Sequence, residues 1–323
     1  MTTVPVSVPA PGPHGGDGPT VAAALGLDPG AVLDLSQSLN PVAPDVAGVV
    51  ARHLGALRTY PDPAPATAAL AAEIGVRSER VLLTNGGSEA IALVAAELGG
   101  RVEEPEFSLH PRGGDPRWRS NPHNPSGALA PPEARADVWD EAFYPLATGR
   151  WTRADTGAVV VGSLTKLLAC PGLRIGYVLA DPALVARLRA RQPRWSVNAL
   201  ATSALPELLE AVDLAAWSAH TARLRAGLVE VLARHGLRAE PSDASWVLVR
   251  AQGLRDALAP HGIVVRDCAS FGLPGTVRIA VPPADGLDRL DATLGMVGAG
   301  ASPRAHTPAP SSDVPSPPPE RNT

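Results

Sequence analysis

The chain has 323 residues, 45% of them hydrophobic and 19% charged, with 28 Lys+Arg against 32 Asp+Glu and a formal net charge of -4. That length supports one large or two medium domains with full cores, and the near-balanced charge offers no electrostatic footprint for nucleic acid or an anionic membrane surface. Cys170 and Cys268 are too few for a disulfide framework or a cysteine-based zinc site, and no apolar run reaches the roughly 18 to 20 residues that span a bilayer.

Residues 1–20 are rich in Pro and Gly, apart from His14-Gly15-Gly16-Asp17, and have neither the basic nor the apolar region of a secretory signal, so a cytoplasmic protein is expected. Residues 65–75 predict a helix ended by Gly75. Val81-Leu82-Leu83 predicts a short buried strand that leads through Asn85-Gly86-Gly87-Ser88-Glu89 into an apolar helix ending at Leu98. Strand signals follow at 137–140, 158–161 and 174–179, then helices at 182–191 and 205–235. Strands at 245–249, 263–265 and 277–281 alternate with helices around 254–258 and 287–296. The stretch 301–323, rich in Pro and Ser, predicts a disordered tail. Alternating strands and helices predict an α/β domain with a mostly parallel sheet, followed after about residue 197 by a smaller α+β domain.

Of the 28 basic residues, 27 are Arg and one is Lys, Lys166. A guanidinium keeps its proton near neutral pH and cannot form an imine, whereas an amine can. Lys166 is either a chance survivor of an Arg-biased composition or a group kept for amine chemistry. Its neighbours bear on that choice: Ser163-Leu164-Thr165-Lys166 is followed by Pro171-Gly172-Leu173-Arg174-Ile175-Gly176-Tyr177. A strand ending at Gly162 puts these hydroxyls and the amine on a loop at a strand end, where α/β sheets place ligands. Ser163 and Arg174 suit a phosphate, Arg through its bidentate fork. Gly86, Gly87 and Ser88 bring backbone N–H groups to a helix N-terminus, although a simple N-cap also accounts for Ser88. Asp140, at a strand end, needs a positive partner if buried; a pyridinium N–H or an arginine would serve, and a turn cap is the plainer reading. Asn121-Pro122-His123-Asn124-Pro125-Ser126-Gly127 reads as a turn, from which Asn124 can donate to a phenolate-like oxygen.

These stretches, taken together and in order, resemble fold-type I pyridoxal-phosphate enzymes of the class I/II aminotransferase superfamily. The resemblance falls in the branch of histidinol-phosphate aminotransferase and threonine-phosphate decarboxylase, and covers about residues 14–281. Further matching stretches are His14-Gly15-Gly16-Asp17, Asp34-Leu35-Ser36-Gln37-Ser38-Leu39-Asn40-Pro41, Tyr60-Pro61-Asp62-Pro63, Asp140-Glu141-Ala142-Phe143, Trp195-Ser196-Val197-Asn198 and Gly262-Ile263-Val264-Val265-Arg266-Asp267-Cys268. The resemblance implies pyridoxal 5'-phosphate as cofactor, bonded through the amine of Lys166. Asp140 would keep the pyridine nitrogen protonated, making the ring an electron sink. Asn124 would contact the ring oxygen, and Gly87, Ser88, Ser163 and Arg174 would hold the phosphate. Tyr60 would reach that phosphate from a partner subunit of a homodimer. Arg278 would bind the substrate carboxylate, Arg266 would lie near a substrate phosphate together with Asn40, and Trp195 and Asn198 would line the site; surface charge is the plain alternative for both arginines. No metal is implied. The implied divisions are an N-terminal arm over 1–45, a cofactor-binding large domain over 46–196, a small domain over 197–300 and the tail over 301–323.

The chain also departs from the family. The ring-stacking aromatic falls on His110 in Pro105-Glu106-Phe107-Ser108-Leu109-His110, and Phe143 stands where a second aromatic would hydrogen-bond the ring oxygen; the latter matches the decarboxylase-like branch. Ten residues separate His110 from Asn121, and fifteen separate Asn124 from Asp140, where relatives place additional strands and helices. At ~3.3 Å per residue, ten residues can cross a domain face but cannot also supply a helix and two strands. An abbreviated sheet is expected. The preferred reaction is decarboxylation of L-threonine O-3-phosphate in cobalamin biosynthesis. Transamination of the histidinol-phosphate type is the first alternative, and a catalytically impaired cofactor-binding homologue is the second.

Overall fold

The computed structural model describes residues 7–153 and 157–300; the tail expected at 301–323 lies outside the described residues. In chain order the elements are α1 (Gly18–Leu25), β1 (Leu33–Leu35), α2 (Val46–Arg52), α3 (Ala64–Ile74), β2 (Val81–Thr84), α4 (Gly86–Leu98), β3 (Trp118–Ser120), β4 (Val138–Asp140), α5 (Tyr144–Thr148) and β5 (Val159–Ser163). They continue with α6 (Leu164–Leu167), β6 (Gly176–Leu179), α7 (Pro182–Arg191), α8 (Ala199–Glu210), α9 (Leu214–Arg234), β7 (Trp246–Arg250), α10 (Leu254–Leu258), β8 (Ile263–Asp267), β9 (Thr276–Ala280) and α11 (Ala284–Gly300).

The larger sheet has the order β2-β6-β5-β4-β3. β3, β4 and β5 pair in parallel, and β6 lies antiparallel between β5 and β2, so four of the five strands share one direction. Side chains alternate between the two faces, as the strand period of two requires. Leu82, Val138, Val159, Val161 and Val178 pack against α4 and α7. Leu83, Trp139, Val160, Tyr177 and Leu179 face the other way, against α3 and α8. With both faces covered, such strands read as unbroken apolar runs, which is why 81–83 and 158–161 are visible in the sequence. Helix ends follow local chemistry. Gly75 closes α3 at φ 79, and the Asp181 carboxylate accepts from the Ala183 and Leu184 N–H groups to open α7. A fully buried leucine such as Leu188 on α7 contributes about 1.5–3 kcal/mol.

The abbreviation is visible at the β3 edge. Between His110 and Asn121 the chain forms β3 alone, and turns fill the path from Asn124 to β4. Isolated bridges between Gly100 and Gly113 and between Arg101 and Arg117 fasten this short path. The outward N–H groups of β3 are nonetheless paired. Trp118 N–H donates to the Arg101 carbonyl at 2.8 Å, and Ser120 N–H donates to Glu106 Oε2 at 2.9 Å. A buried carboxylate thus stands where a neighbouring strand would bond.

The smaller sheet has the order β1-β8-β9-β7. Val247, Val249, Ile263, Val265, Val277 and Ile279 lie against α9, α10 and α11. The intervening positions point to the opposite face, and register pairs Arg266 on β8 with Arg278 on β9 there. Two departures from the sequence reading concern helices. The stretch 205–235 is not one helix: α8 starts earlier, at Ala199, and a break before Leu214 lets the Asp213 carboxylate cap α9 through the Ala216 N–H at 2.9 Å. α8 packs within the core of the larger sheet, and α9 spans both cores through Trp217 and Leu228. α1, α2, α5 and the three-residue strands β1 and β3 have no counterpart in the sequence reading, since such short elements carry too little periodicity. Among the described residues, no helix is long and apolar enough to cross a membrane.

Candidate active site

A cavity of about 330 Å³ opens between the two sheets. The larger sheet supplies Gly87, Ser88, Asp140, Ser163, Lys166 and Arg174 to its wall; Asn124 joins them, and Arg266 and Arg278 come from the smaller sheet. Most of the residues singled out in the sequence therefore meet in one place.

Lys166 sits on the one-turn helix α6 directly after β5, not on a loop as the spacing predicts. Its Nζ donates to the Gln37 carbonyl at 3.0 Å and lies 5.8 Å from the Phe143 ring centre. Burial, followed by the positive charges of Arg278, Arg266 and Arg174, pushes the amine down to about 8, against a smaller opposing pull from Asp34. An amine with that proton affinity is substantially neutral near pH 8 and can act as nucleophile or base.

The glycine turn before α4 forms a cradle. Gly86 has φ 77, and a Cβ there would collide with the Arg174 guanidinium. Arg174 Nη2 donates to Ser88 Oγ at 3.1 Å, and Ser163 lies across from Gly87. Asn85 makes no side-chain cap, so the first-turn N–H groups of this 13-residue helix remain for a ligand. Arg174 itself holds φ 56, a left-handed backbone uncommon for a non-glycine residue and of the kind that clusters at ligand sites.

Asp140 ends β4. Its Oδ1 accepts from the Ala142 N–H at 3.0 Å, and its Oδ2 accepts from His110 Nε2 at 2.9 Å. Asn124 Oδ1 accepts from Arg278 Nη1 at 2.9 Å, which leaves its Nδ2 to donate elsewhere. Arg278 lies 4.9 Å from the Trp246 ring centre, and its Nε has no partner. Burial, with repulsion from Arg266 second, pushes its guanidinium down to about 9. Arg266 donates to the Pro13 and His14 carbonyls at 2.9 and 3.1 Å, lies 4.5 Å from the Phe271 ring centre and also leaves Nε unpartnered; burial lowers its proton affinity. Neither guanidinium makes an ion pair among the described residues. Buried cations without carboxylates leave donors for an anionic ligand.

Five residues lie apart from this cavity wall. His110 is fully buried behind Asp140 and does not face the cavity; its Nε2 meets the Asp140 carboxylate, and the apolar Phe107 and Leu109 line the wall in its place. Asn40 spends both ends of its amide on backbone, donating to the Leu167 carbonyl at 2.8 Å and accepting from the Val42 N–H at 3.0 Å. It pins the N-terminal arm to the Lys166 turn. Asn198 caps α8 through the Ala201 N–H and donates to the Leu173 carbonyl. Tyr60 and Trp195 stack on each other at 4.3 Å on the surface, 76% and 55% exposed. His14, Phe107 and Leu109 are wall residues to which the sequence reading gives no role.

The donor set suits pyridoxal 5'-phosphate. The Gly87–Ser88–Ser163–Arg174 cradle fits its phosphate, the Asp140 carboxylate its ring nitrogen, Asn124 Nδ2 its ring oxygen and Lys166 its aldehyde carbon. Comparison with known proteins agrees. Residues 118–292 match the family described as aminotransferase class I and II. A threonine-phosphate decarboxylase of Salmonella typhimurium is 30% identical over 90% of this chain and 98% of its own length. Histidinol-phosphate aminotransferase 2 of Ralstonia nicotianae is 29% identical over 81% of this chain and 87% of its own. In fold, the chain resembles the histidinol-phosphate aminotransferase from Sinorhizobium meliloti solved with pyridoxal-5'-phosphate, at TM-score 0.75 and 18% identity over 93% of this chain and 98% of that one. Matching family, similar relatives and a cavity with these donors lead to one conclusion: the chain belongs to the class I and II aminotransferase family, and it is an enzyme whose cofactor is pyridoxal 5'-phosphate.

Proposed function

We propose that this enzyme acts on a phosphorylated amino acid and decarboxylates L-threonine O-3-phosphate or a close analogue. The observation that carries this reading is the pair Arg266 and Arg278, register partners on β8 and β9, buried and without carboxylates beside Lys166. Two guanidiniums suit a substrate with two anionic groups, a carboxylate and a phosphate. Arg278 takes the carboxylate and Arg266 the phosphate, exchanging one or both of its bonds to the Pro13 and His14 carbonyls. Arg174, with Ser88 and Ser163, is reserved for the cofactor phosphate.

Pyridoxal phosphate, when bound, supplies an electron sink for the bond broken at the substrate α-carbon. The protein decides which bond that is. Anchoring carboxylate and phosphate on neighbouring strands fixes the rotation of the α-carbon. Phe143 brings a phenyl ring and no hydroxyl to the wall. Lys166 presents a neutral amine that would take up the proton of the incoming substrate ammonium and, as the ammonium, return it at the α-carbon. Residues 46–196 serve as the cofactor-binding domain, with the 1–45 arm closing on it.

A second copy completes the reading. Tyr60 lies outside its own cavity wall, and the exposed Leu54 and Leu57 precede it, an apolar patch of the kind that marks subunit contacts. In a homodimer Tyr60 reaches the partner's phosphate cradle. The similarity to histidinol-phosphate aminotransferases favours transamination as a second reading, in which Lys166 also removes the α-proton.

The two readings separate in a paired assay with the purified enzyme: CO2 release from L-threonine O-3-phosphate, and histidinol phosphate consumption coupled to 2-oxoglutarate. CO2 without amino transfer supports the first reading, and amino transfer without CO2 replaces it with the second. A bound-cofactor absorption band with no turnover of either substrate removes both in favour of a catalytically impaired homologue.

A further inference from the structure

Trp195 and Tyr60 form a surface stack outside the cavity. Their ring centres are 4.3 Å apart, their planes are 25° apart, and both side chains are exposed. Trp195 holds φ 58, and a positive φ in a bulky residue is an outlier that persists only where its surroundings enforce it. Here the enforcing contacts come from both sides in the chain. Before Trp195, Gln192 Nε2 donates to Glu89 Oε2 at 3.0 Å and to the Leu83 carbonyl at 2.9 Å. After it, the Ser196 hydroxyl lies 2.7 and 2.6 Å from the two Glu89 oxygens, and Val197 is buried in the core of the larger sheet. Glu89 also accepts from the Asn85 N–H at 2.6 Å, and it directly follows Ser88 of the phosphate cradle in the first turn of α4. The loop that carries Trp195 is therefore fastened to the helix whose N-terminus forms the cradle.

We propose that Trp195 is a positioning residue, whose indole holds the Tyr60 ring of its own subunit ready to bind the cofactor phosphate in the neighbouring subunit. The inference rests on the reading above in which Tyr60 crosses a homodimer interface. An exposed tyrosine samples several rotamers, and fixing one of them on contact costs conformational entropy. Stacking on a ring whose backbone is already locked removes that freedom beforehand. Pro61 follows Tyr60 and restricts its backbone to extended conformations, so what the stack sets is chiefly the side chain. Glu89, Ser196 and Trp195 then link the cradle helix of one subunit to the tyrosine that this subunit lends to the other.

The test compares the full-length wild type with Trp195→Ala, Trp195→Phe, Tyr60→Phe and the double variant Trp195→Ala/Tyr60→Phe. Light scattering reads the oligomeric state, and equilibrium dialysis of the cofactor-free protein reads Kd for two probes, pyridoxal phosphate and pyridoxal, which lacks the phosphate. Tyr60→Phe is expected to raise the Kd for pyridoxal phosphate roughly tenfold or more, the factor set by loss of a hydrogen bond to a charged group. Trp195→Ala should raise it by a smaller factor, about threefold to tenfold, because the hydroxyl is still present and only its orientation is lost. The double variant should bind no more weakly than Tyr60→Phe, Trp195→Phe should stay near wild type, and the Kd for pyridoxal should not change in any of them. A purely structural role for the indole would instead weaken both probes alike. The inference is overturned if dimeric Trp195→Ala binds pyridoxal phosphate as wild type does while Tyr60→Phe binds it weakly, if the two effects add in the double variant, or if pyridoxal loses affinity in parallel. Where Trp195→Ala does not assemble, Trp195→Leu, apolar but without a flat face, takes its place, and loss of the dimer in both also overturns it. A monomeric wild type, or an unchanged Kd in Tyr60→Phe, removes the reading of Tyr60 across the interface and this inference with it, an outcome separate from the others.

Discussion

The two sides of the cavity are built to hold anions by different means. On the side of the five-stranded sheet, the cradle uses helix N–H groups, two hydroxyls and a partly exposed Arg174 already bonded to Ser88. On the side of the four-stranded sheet, Arg266 and Arg278 are buried against the Phe271 and Trp246 rings with no carboxylate between them. The first side tolerates solvent and uses backbone dipoles, which cost less to desolvate than full charges. The second keeps two like charges in a poor dielectric; burial lowers the proton affinity of both, and the charge of Arg266 lowers that of Arg278 further. The difference teaches that the first side suits a resident group, while on the proposed reading the second is unfavourable until a doubly anionic substrate arrives. Lys166 lies where the two sides meet, and its depressed proton affinity follows first from burial and then from charges on both.

Removing the shared group is the largest test. Lys166→Arg keeps the charge and removes the amine, so turnover is expected to fall by several orders of magnitude. Borohydride treatment followed by peptide mass spectrometry should label wild type at Lys166 and leave the variant unlabelled. Arg278→Met sharpens the contrast between the sides. With one charge-assisted contact gone, kcat/KM should fall about tenfold to a hundredfold. The Tm of the cofactor-free protein should rise, because an unpaired buried charge is replaced by an apolar chain. A lower Tm with unchanged kcat/KM would break the comparison.

The pH dependence of stability tests the junction. Folding lowers the Lys166 amine from 10.5 to about 8, so the unfolded chain binds the additional proton between those values. Stability of the cofactor-free protein should therefore climb as pH rises from about 8 to 10.5, and below that window the charged amine is a constant cost. Urea titrations across pH should show this component in wild type and not in Lys166→Met. The smallest effect is expected outside the cavity. Asn198→Ala removes the α8 cap and should lower stability by about 1 kcal/mol in urea unfolding, with kcat/KM unchanged.

The residues that face the cavity were legible to different degrees. Lys166, Arg174 and the Gly86-Gly87-Ser88 turn stood out because their spacing matches strand ends, where a local pattern suffices to place a group. Arg278 was legible only through the family resemblance, because a charge in Val277-Arg278-Ile279 reads by itself as surface charge on a strand end. Asn40 and Asn198 carry residue types that a site or a cap can equally use, and their partners, the Leu167 and Leu173 carbonyls, are distant in sequence for Asn40 and on another element for Asn198. His110 was misplaced for a related reason: sequence position specifies where its Cα stands, not which of two carboxylates its ring nitrogens meet.

From the sequence by itself follow the chemistry available to this protein, a lone amine among guanidiniums, a glycine-rich helix start, and a central region too short for a full sheet. Those are properties of composition, spacing and chain length, which local physics reads directly. Tertiary structure alone decided that Arg266 and Arg278 stand side by side without an ion pair among the described residues, that burial and charges from both sides depress the amine, and that His110 backs Asp140. Each depends on long-range register and burial, and the free energy of a charge is set by what surrounds it in space, not by its neighbours along the chain.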